Sequence, residues 1–242
     1  MKAVFLDKDG TLIEDVPYNV DPDKIRLCKS ALEGVQSLAA AGYQIFIITN
    51  QSGVARGYFP ETALVAVERH LRQLLADIGV SLAGFYYCPH HPQGIVTEFA
   101  IACDCRKPRP GLLKVAAKEN QIELGQSWLI GDILNDIEAG NLAGCRTILI
   151  DNGNETEWQL SKQRLPNHIV KNLTEAARAI AAIDCFNPKT NLVNLKNNHK
   201  GTKEDADGKR VSPSSLASAT QRDFFEKWDE INKGKSQIKS DE

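Results

Sequence analysis

The sequence has no apolar run of the length a membrane span needs, so no transmembrane segment is expected. It carries little net charge, −2, and no basic stripe. That argues against nucleic acid and anionic membrane as partners. The start, MKAVFLDKDG, lacks the long apolar stretch of a secretory signal, because Asp7 follows directly on Ala3 to Leu6. A cytoplasmic location is therefore expected. In a reducing compartment the six cysteines would be free or metal-bound rather than disulfide-paired. Internal repeats are absent.

What is there is alternation. Buried strands are predicted at Lys2–Leu6, Gln44–Thr49, Phe85–Cys88, Ser127–Gly131, Arg146–Ile150 and His168–Val170. Helices are predicted at 31–41, from Pro60 onward through Leu64, Val67, Leu71, Leu74 and Ile78, and at 112–118, 133–142 and 174–183. Strands alternating with helices imply an α/β fold, a Rossmann-like parallel sheet with helices on both faces. Ligands of such sheets bind beyond the carboxyl ends of the strands. Three polar signatures fall there: DKDGT after the first strand, TNQSG after the second and GDILND after the fourth. From about Phe186 onward, Asn, Lys, Asp, Ser and Gly dominate. Residues 1–184 thus read as one domain and 185–242 as a polar, disordered tail, with a short helix near 214–231. The tail's own partner is not legible.

Each signature carries chemistry. Asp7 and Asp9, two residues apart after a strand, would point the same way into the rim if the backbone stayed extended. Gly10 permits the turn that follows. Paired carboxylates invite a cation, and oxygen-only ligands suit Mg²⁺. A carboxylate is also a nucleophile toward phosphorus. A surface pair of turn-capping aspartates would use the same letters, so the motif gains weight from its companions. Asp132 offers a third carboxylate. Asp136 is either an outer ligand or a helix cap. Thr49 and Asn50 end a strand where phosphoryl oxygens can be bound. Lys107 can neutralise a phosphoryl group, and Arg106 with Arg109 adds local positive charge for a second anion.

Cys88 and His90 precede Cys103 and Cys105 by twelve intervening residues. Three thiols and one imidazole match a closed tetrahedral Zn²⁺ site, with His91 a competing ligand. A closed site leaves no open position for water, so its expected role is structural: stapling the loop that leads to Arg106 and Lys107.

In order, DKDGT, TNQSG, CRKP and GDxxxD resemble the haloacid dehalogenase-like superfamily of phosphatases. CPHHPQG followed by CDCRKP is similar to the D-glycero-D-manno-heptose 1,7-bisphosphate phosphatase group, whose relatives include histidinol-phosphate phosphatases. The resemblance covers residues 1 to about 182. It implies Asp7 as nucleophile, Asp9 as acid and then base, and Thr49 and Lys107 on the phosphoryl oxygens. It implies Mg²⁺ at Asp7, the Asp9 carbonyl and Asp132, and Zn²⁺ at Cys88, His90, Cys103 and Cys105. Asp15, Tyr18, Thr49, Asn50, Gln51, Ser52, Arg106 and Lys107 would contact a small phosphorylated sugar. The chain is expected to act as a monomer without a large cap domain. Two departures from the family pattern stand out: Ile133 replaces a charged residue, and Val16-Pro17 replaces a His-Gly pair. Histidinol phosphate or another sugar phosphate is thus an alternative substrate. A non-catalytic, zinc-stapled binding module is the alternative from another class.

Overall fold

Strand β1 (Ala3–Leu6) lies near the middle of a six-stranded sheet in which all pairings are parallel. The computed structural model describes residues 1–159 and 161–186. The other strands are β2 (Gln44–Asn50), β3 (Leu82–Cys88), β4 (Trp128–Gly131), β5 (Arg146–Ile150) and β6 (His168–Val170). Five helices connect or follow them: α1 (Ala31–Ala40), α2 (Ala63–Asp77), α3 (Gly111–Asn120), α4 (Leu134–Ala143) and α5 (Leu173–Phe186).

The strand order is β3-β2-β1-β4-β5-β6. The chain therefore moves outward from β1 to β3, crosses back to β4 and moves outward again. Right-handed crossovers place helices on opposite faces when the direction reverses. Packing agrees. Ala3, Phe5, Phe46, Ile48 and Leu129 form one buried cluster with Leu112, Leu113, Ala116 and Ala117 of α3 and Ala139 of α4. Their strand neighbours Val4, Leu6, Ile45 and Ile47 point to the opposite face and are equally buried. Burial on both faces is why these strands read as unbroken apolar runs rather than alternating ones.

The reversal of order lies between β1 and β4, which pair through Leu6 and Ile130. Such a switch point opens a crevice at the carboxyl ends of the two strands. Asp7 and Asp132 are the next residues on each. The rim is bordered by residues 7–30, 51–62 and 89–110, and the described residues hold no separate cap domain.

All six expected strands form, with shifts at their ends. β3 starts three residues earlier than its aromatic run suggests, because Gly84 and Leu82 are still paired with β2. Helix α2 begins at Ala63 rather than at Pro60; Pro60 and Glu61 accept the N–H groups of Ala63 and Leu64 in the preceding turn. The chain divides into two units, Met1–Ala177 and Arg178–Glu242. The helix expected near 214–231 lies outside the described residues. No helix among them is long and apolar enough to cross a membrane.

Candidate active site

The carboxylates of Asp7, Asp132 and Asp136 meet beyond the β1 and β4 ends, with ligand oxygens all within 4.8 Å of one another. All three residues are buried. Asp7 N still donates to Ile130 O (3.0 Å), so the sheet ladder fixes its backbone. After Asp7 the chain turns. Lys8 O accepts from both Leu12 N and Ile13 N, and Gly10 takes a φ of +77° that favours glycine. A side chain at Gly10 would collide with the Asp132 carboxylate and with Asn154. The glycine of DKDGT thus serves a close approach as well as a turn.

This turn corrects the expectation that the side chains of residues 7, 9 and 132 meet. Strand geometry ends at Leu6, so the two-residue periodicity no longer applies at Asp9. The Asp9 carboxylate faces Lys8 Nζ (2.9 Å) and accepts from Gln51 Nε2 (3.3 Å). The third carboxylate of the cluster is Asp136. It also caps α4, accepting from Ile133 N at 3.3 Å. Gly131 makes room for it, since a Cβ there would overlap the Asp136 carboxylate.

One cation of the chain sits among these acids. Lys107 Nζ lies 2.5 Å from Asp7 Oδ1 and 2.5 Å from Asp136 Oδ1, and donates to Ile48 O at 2.9 Å. Burial alone would lower its ammonium, but Asp136 and Asp7 outweigh that and hold it above the usual lysine range. Burial pushes the Asp132 carboxyl up, to about 7, with Asp7 and Asp136 adding to the rise and Asn154 and Lys107 opposing it. Asp136 is raised by burial and by Asp7, against the pull of Lys107. Burial also raises Asp9, opposed by Lys8. Three carboxylates against one ammonium leave an excess of negative charge. A hard divalent cation with oxygen ligands fits that donor set.

Thr49, fully buried at the β2 end, accepts from Gln51 Nε2 (2.9 Å), which leaves its hydroxyl proton to donate. Asn50 and Lys107 grip each other: Asn50 Nδ2 donates to Lys107 O (3.1 Å) and Asn50 Oδ1 accepts from Lys107 N (3.0 Å). Ser52 is half-buried on the turn after β2, and Asp15 is exposed. Tyr18 is exposed, with a φ of 55°, and its ring meets that of Tyr58 edge-on at 4.5 Å. Arg106 Nη1 donates to His90 O at 3.4 Å. Arg109 is paired with Asp104 at 2.5 Å, which removes it from the positive patch expected there.

Two residues escaped the sequence reading. Asn154 Nδ2 donates to Asp132 Oδ2 (2.6 Å), and Asn152 Nδ2 donates to Gly10 O (2.8 Å). Their signal was positional: the polar run DNGNE follows β5 at the same rim as the other signatures.

Cys88, His90, Cys103 and Cys105 form the second cluster. Their sulfurs lie 3.1, 3.2 and 3.5 Å apart, and His90 Nδ1 is 3.2 Å from Cys105 Sγ. Disulfide sulfurs would be about 2.05 Å apart. Edges of a tetrahedron built on zinc–sulfur bonds of about 2.3 Å are about 3.8 Å. The donor set therefore fits a tetrahedral thiolate–imidazole site. The loop it closes is held to the turn after β2. Ala55 O accepts from Ile95 N (2.8 Å) and Val96 N (3.0 Å), and a Cβ at Gly94 would lie 2.7 Å from that same oxygen.

A family profile of HAD-hydrolase-like proteins matches residues 104–176. The chain is 39% identical over 183 residues to the D-glycero-beta-D-manno-heptose-1,7-bisphosphate 7-phosphatase of Pasteurella multocida, covering 75% of this chain and 98% of that one. It is 38% identical over 179 residues to the protein of the same name from Escherichia coli K12, covering 70% and 94%. Among solved structures, the D,D-heptose 1,7-bisphosphate phosphatase of B. bronchiseptica, complexed with magnesium and phosphate, aligns with a TM-score of 0.62 at 27% identity. That match covers 76% of this chain and 99% of the other. A HAD-like phosphatase from Mesorhizobium loti aligns with a TM-score of 0.66 at 34% identity, covering 76% and 86%.

Proposed function

Because the chain belongs to the D-glycero-D-manno-heptose 1,7-bisphosphate 7-phosphatase family of HAD-like hydrolases, we propose that it removes the 7-phosphate of that sugar bisphosphate through an aspartyl-phosphate on Asp7. The observation that carries the mechanism is the position of Asp7. It is buried at the sheet's switch point, with Lys107 against one oxygen and two further carboxylates beside it.

Asp7 attacks phosphorus in line with the leaving sugar oxygen. Asp9 protonates that oxygen. Burial raises its carboxyl above the usual carboxylate range, against the pull of Lys8, the direction an acid needs. It then takes a proton from the water that hydrolyses the aspartyl-phosphate. Thr49 and Lys107 donate to the phosphoryl oxygens and hold them in place. Gln51 keeps Asp9 and Thr49 in register by bonding both. Asp7 and Asp132, with the Asp9 carbonyl, would hold Mg²⁺, and Asp136 would act on it through Lys107. When bound, the ion supplies charge neutralisation at phosphorus. Cys88, His90, Cys103 and Cys105 would hold Zn²⁺ in a structural role.

Asp15, Tyr18, Asn50, Gln51, Ser52 and Arg106 border the substrate in this reading. Residues 1–184 form the catalytic unit, acting as a monomer in the cytoplasm, where thiols stay reduced. Assembled carboxylates and lysine weigh against a non-catalytic module. The test is phosphate release from the bisphosphate with Mg²⁺, compared by kcat/KM with histidinol phosphate and other phosphate esters. ³¹P NMR then assigns the cleaved position. Preference for another ester, or loss of the 1-phosphate, would overturn the assignment.

A further inference from the structure

Two lysines are buried among the described residues, Lys8 and Lys107. A lysine ordinarily keeps its ammonium in water, and taking the charge out of water is costly unless a partner offsets it. Lys107 has its partners in Asp7 and Asp136. The chemistry proposed for the site leaves Lys8, the middle residue of Asp7-Lys8-Asp9, unused. Its side chain is 1% exposed, and its Nζ lies 2.9 Å from Asp9 Oδ1. Among the described residues Asp9 is its one acidic partner within ion-pair distance. The nucleophile and the acid, two residues apart, thus each have a buried ammonium of their own.

The Asp9 carboxylate is held from two sides. Oδ1 accepts from Lys8. Oδ2 accepts from Gln51 Nε2 at 3.3 Å, and the same amide nitrogen donates to Thr49 Oγ1 at 2.9 Å. Gln51 is itself fixed, its backbone N–H donating to Cys88 O (2.8 Å). Oδ2 therefore lies on the side of the hydroxyl that binds the phosphoryl group, and Oδ1 on the side of the ammonium. The turn gives no reason to bury a lysine here. Its closing bonds run from Leu12 N and Ile13 N to Lys8 O, a backbone atom that any residue supplies.

We infer that Lys8 is a positioning residue for the acid: its ammonium anchors Asp9 Oδ1 and so turns Oδ2 toward the leaving oxygen. This rests on the reading of Asp9 as that acid. In the step it serves, an Asp7 oxygen bonds to phosphorus and the bond from phosphorus to the sugar oxygen breaks. The proton on Asp9 Oδ2 moves to that sugar oxygen. Lys8 acts through Asp9 alone.

The test uses the full-length chain with its metals and two esters. One is the heptose 1,7-bisphosphate, whose alkoxide leaving group needs a proton. The other is para-nitrophenyl phosphate, whose phenolate departs without one. kcat/KM reports the reaction up to the departure of the leaving group, so hydrolysis of the aspartyl-phosphate does not enter. Lys8→Met should lower the ratio of sugar ester to nitrophenyl ester about 10- to 100-fold, part of the roughly 100- to 10,000-fold that a placed acid supplies. Lys8→Arg keeps a cation and should restore most of the ratio. Lys8→Gln, polar and uncharged, replaces the Met variant if that one does not fold. In an Asp9→Asn background, which has no carboxyl to orient, Lys8→Met should leave the ratio where Asp9→Asn sets it. An unaltered ratio, an equal loss on both esters, or a further fall in the Asp9→Asn background overturns the proposal. Protein whose ratio survives Asp9→Asn removes the reading of Asp9 beneath it, and wild-type protein that cleaves neither ester removes the phosphatase reading itself.

Discussion

Asn50 and Lys107 exchange two hydrogen bonds, side-chain amide to backbone amide, across 57 residues of sequence. Both polar ends of the Asn50 side chain are committed to this pair. Its role is therefore to set where Lys107 starts, and so where the ammonium ends. Asn50→Ala should lower kcat/KM by about 10-fold or more on every phosphate ester alike, since the phosphoryl group is common to all. Steady-state kinetics on two unrelated esters checks it.

Asp7→Asn should abolish turnover, because the amide cannot form the acyl-phosphate. Rapid-quench labelling with a radioactive phosphate ester should find phosphoprotein in the wild type and none in this variant. Retained activity would place the nucleophile elsewhere.

Asp132 gives a pH dependence whose sign can be worked out. Its folded value is raised to about 7, above the ordinary carboxylate value of about 3.9. Over that window the folded state binds more protons than the unfolded one, so stability falls as pH rises. Without divalent metal, Tm should decline between about pH 4 and 7, and Asp132→Asn should flatten the decline. Added Mg²⁺ should oppose it, with affinity rising as pH passes 7. Differential scanning calorimetry with Mg²⁺ and with EDTA separates these effects. In EDTA the Asn variant should be the more stable protein, because one of three crowded carboxylates is gone.

Cys105→Ser should abolish metal binding at the Cys/His cluster, where zinc is proposed, and loosen the loop that carries His91 and Arg106. KM should rise before kcat falls, because Lys107 is held separately by Asp7, Asp136 and Ile48 O. Elemental analysis together with the KM and kcat split checks this. A fall in kcat with KM constant would tie the loop to the chemistry instead.

Gly10→Ala should fail for two reasons that add: a positive φ and a methyl group driven into Asp132. Loss of Mg²⁺ binding by titration calorimetry, with a lowered Tm, is the expected outcome.

What the sequence revealed, and what it hid, follow from reach. Buried parallel strands announce themselves through apolar runs, so the sheet and its rim could be drawn from β1, β2 and β4 alone. The positions of Asp7, Thr49 and Asp132 at strand ends came with them. Asp9 was misdirected because its orientation depends on a turn closed at Leu12 and Ile13, beyond the strand rule. Asp136 was ambiguous because an outer ligand and a helix cap look alike in sequence; its ion pair with Lys107 depends on another segment. Asn154 was missed because a lone amide after β5 gains meaning only against Asp132.

The two strands that end in Asp7 and Asp132 are the innermost pair, with β2 and β5 outside them. Segments that would recognise the rest of the sugar hang from β2 and from β3 at the border. Mutational drift in these peripheral segments can redirect the enzyme to new metabolites while its inherited chemistry stays sheltered. A laboratory seeking altered selectivity should therefore randomise residues 54–59 and 91–99 and leave the central acids alone.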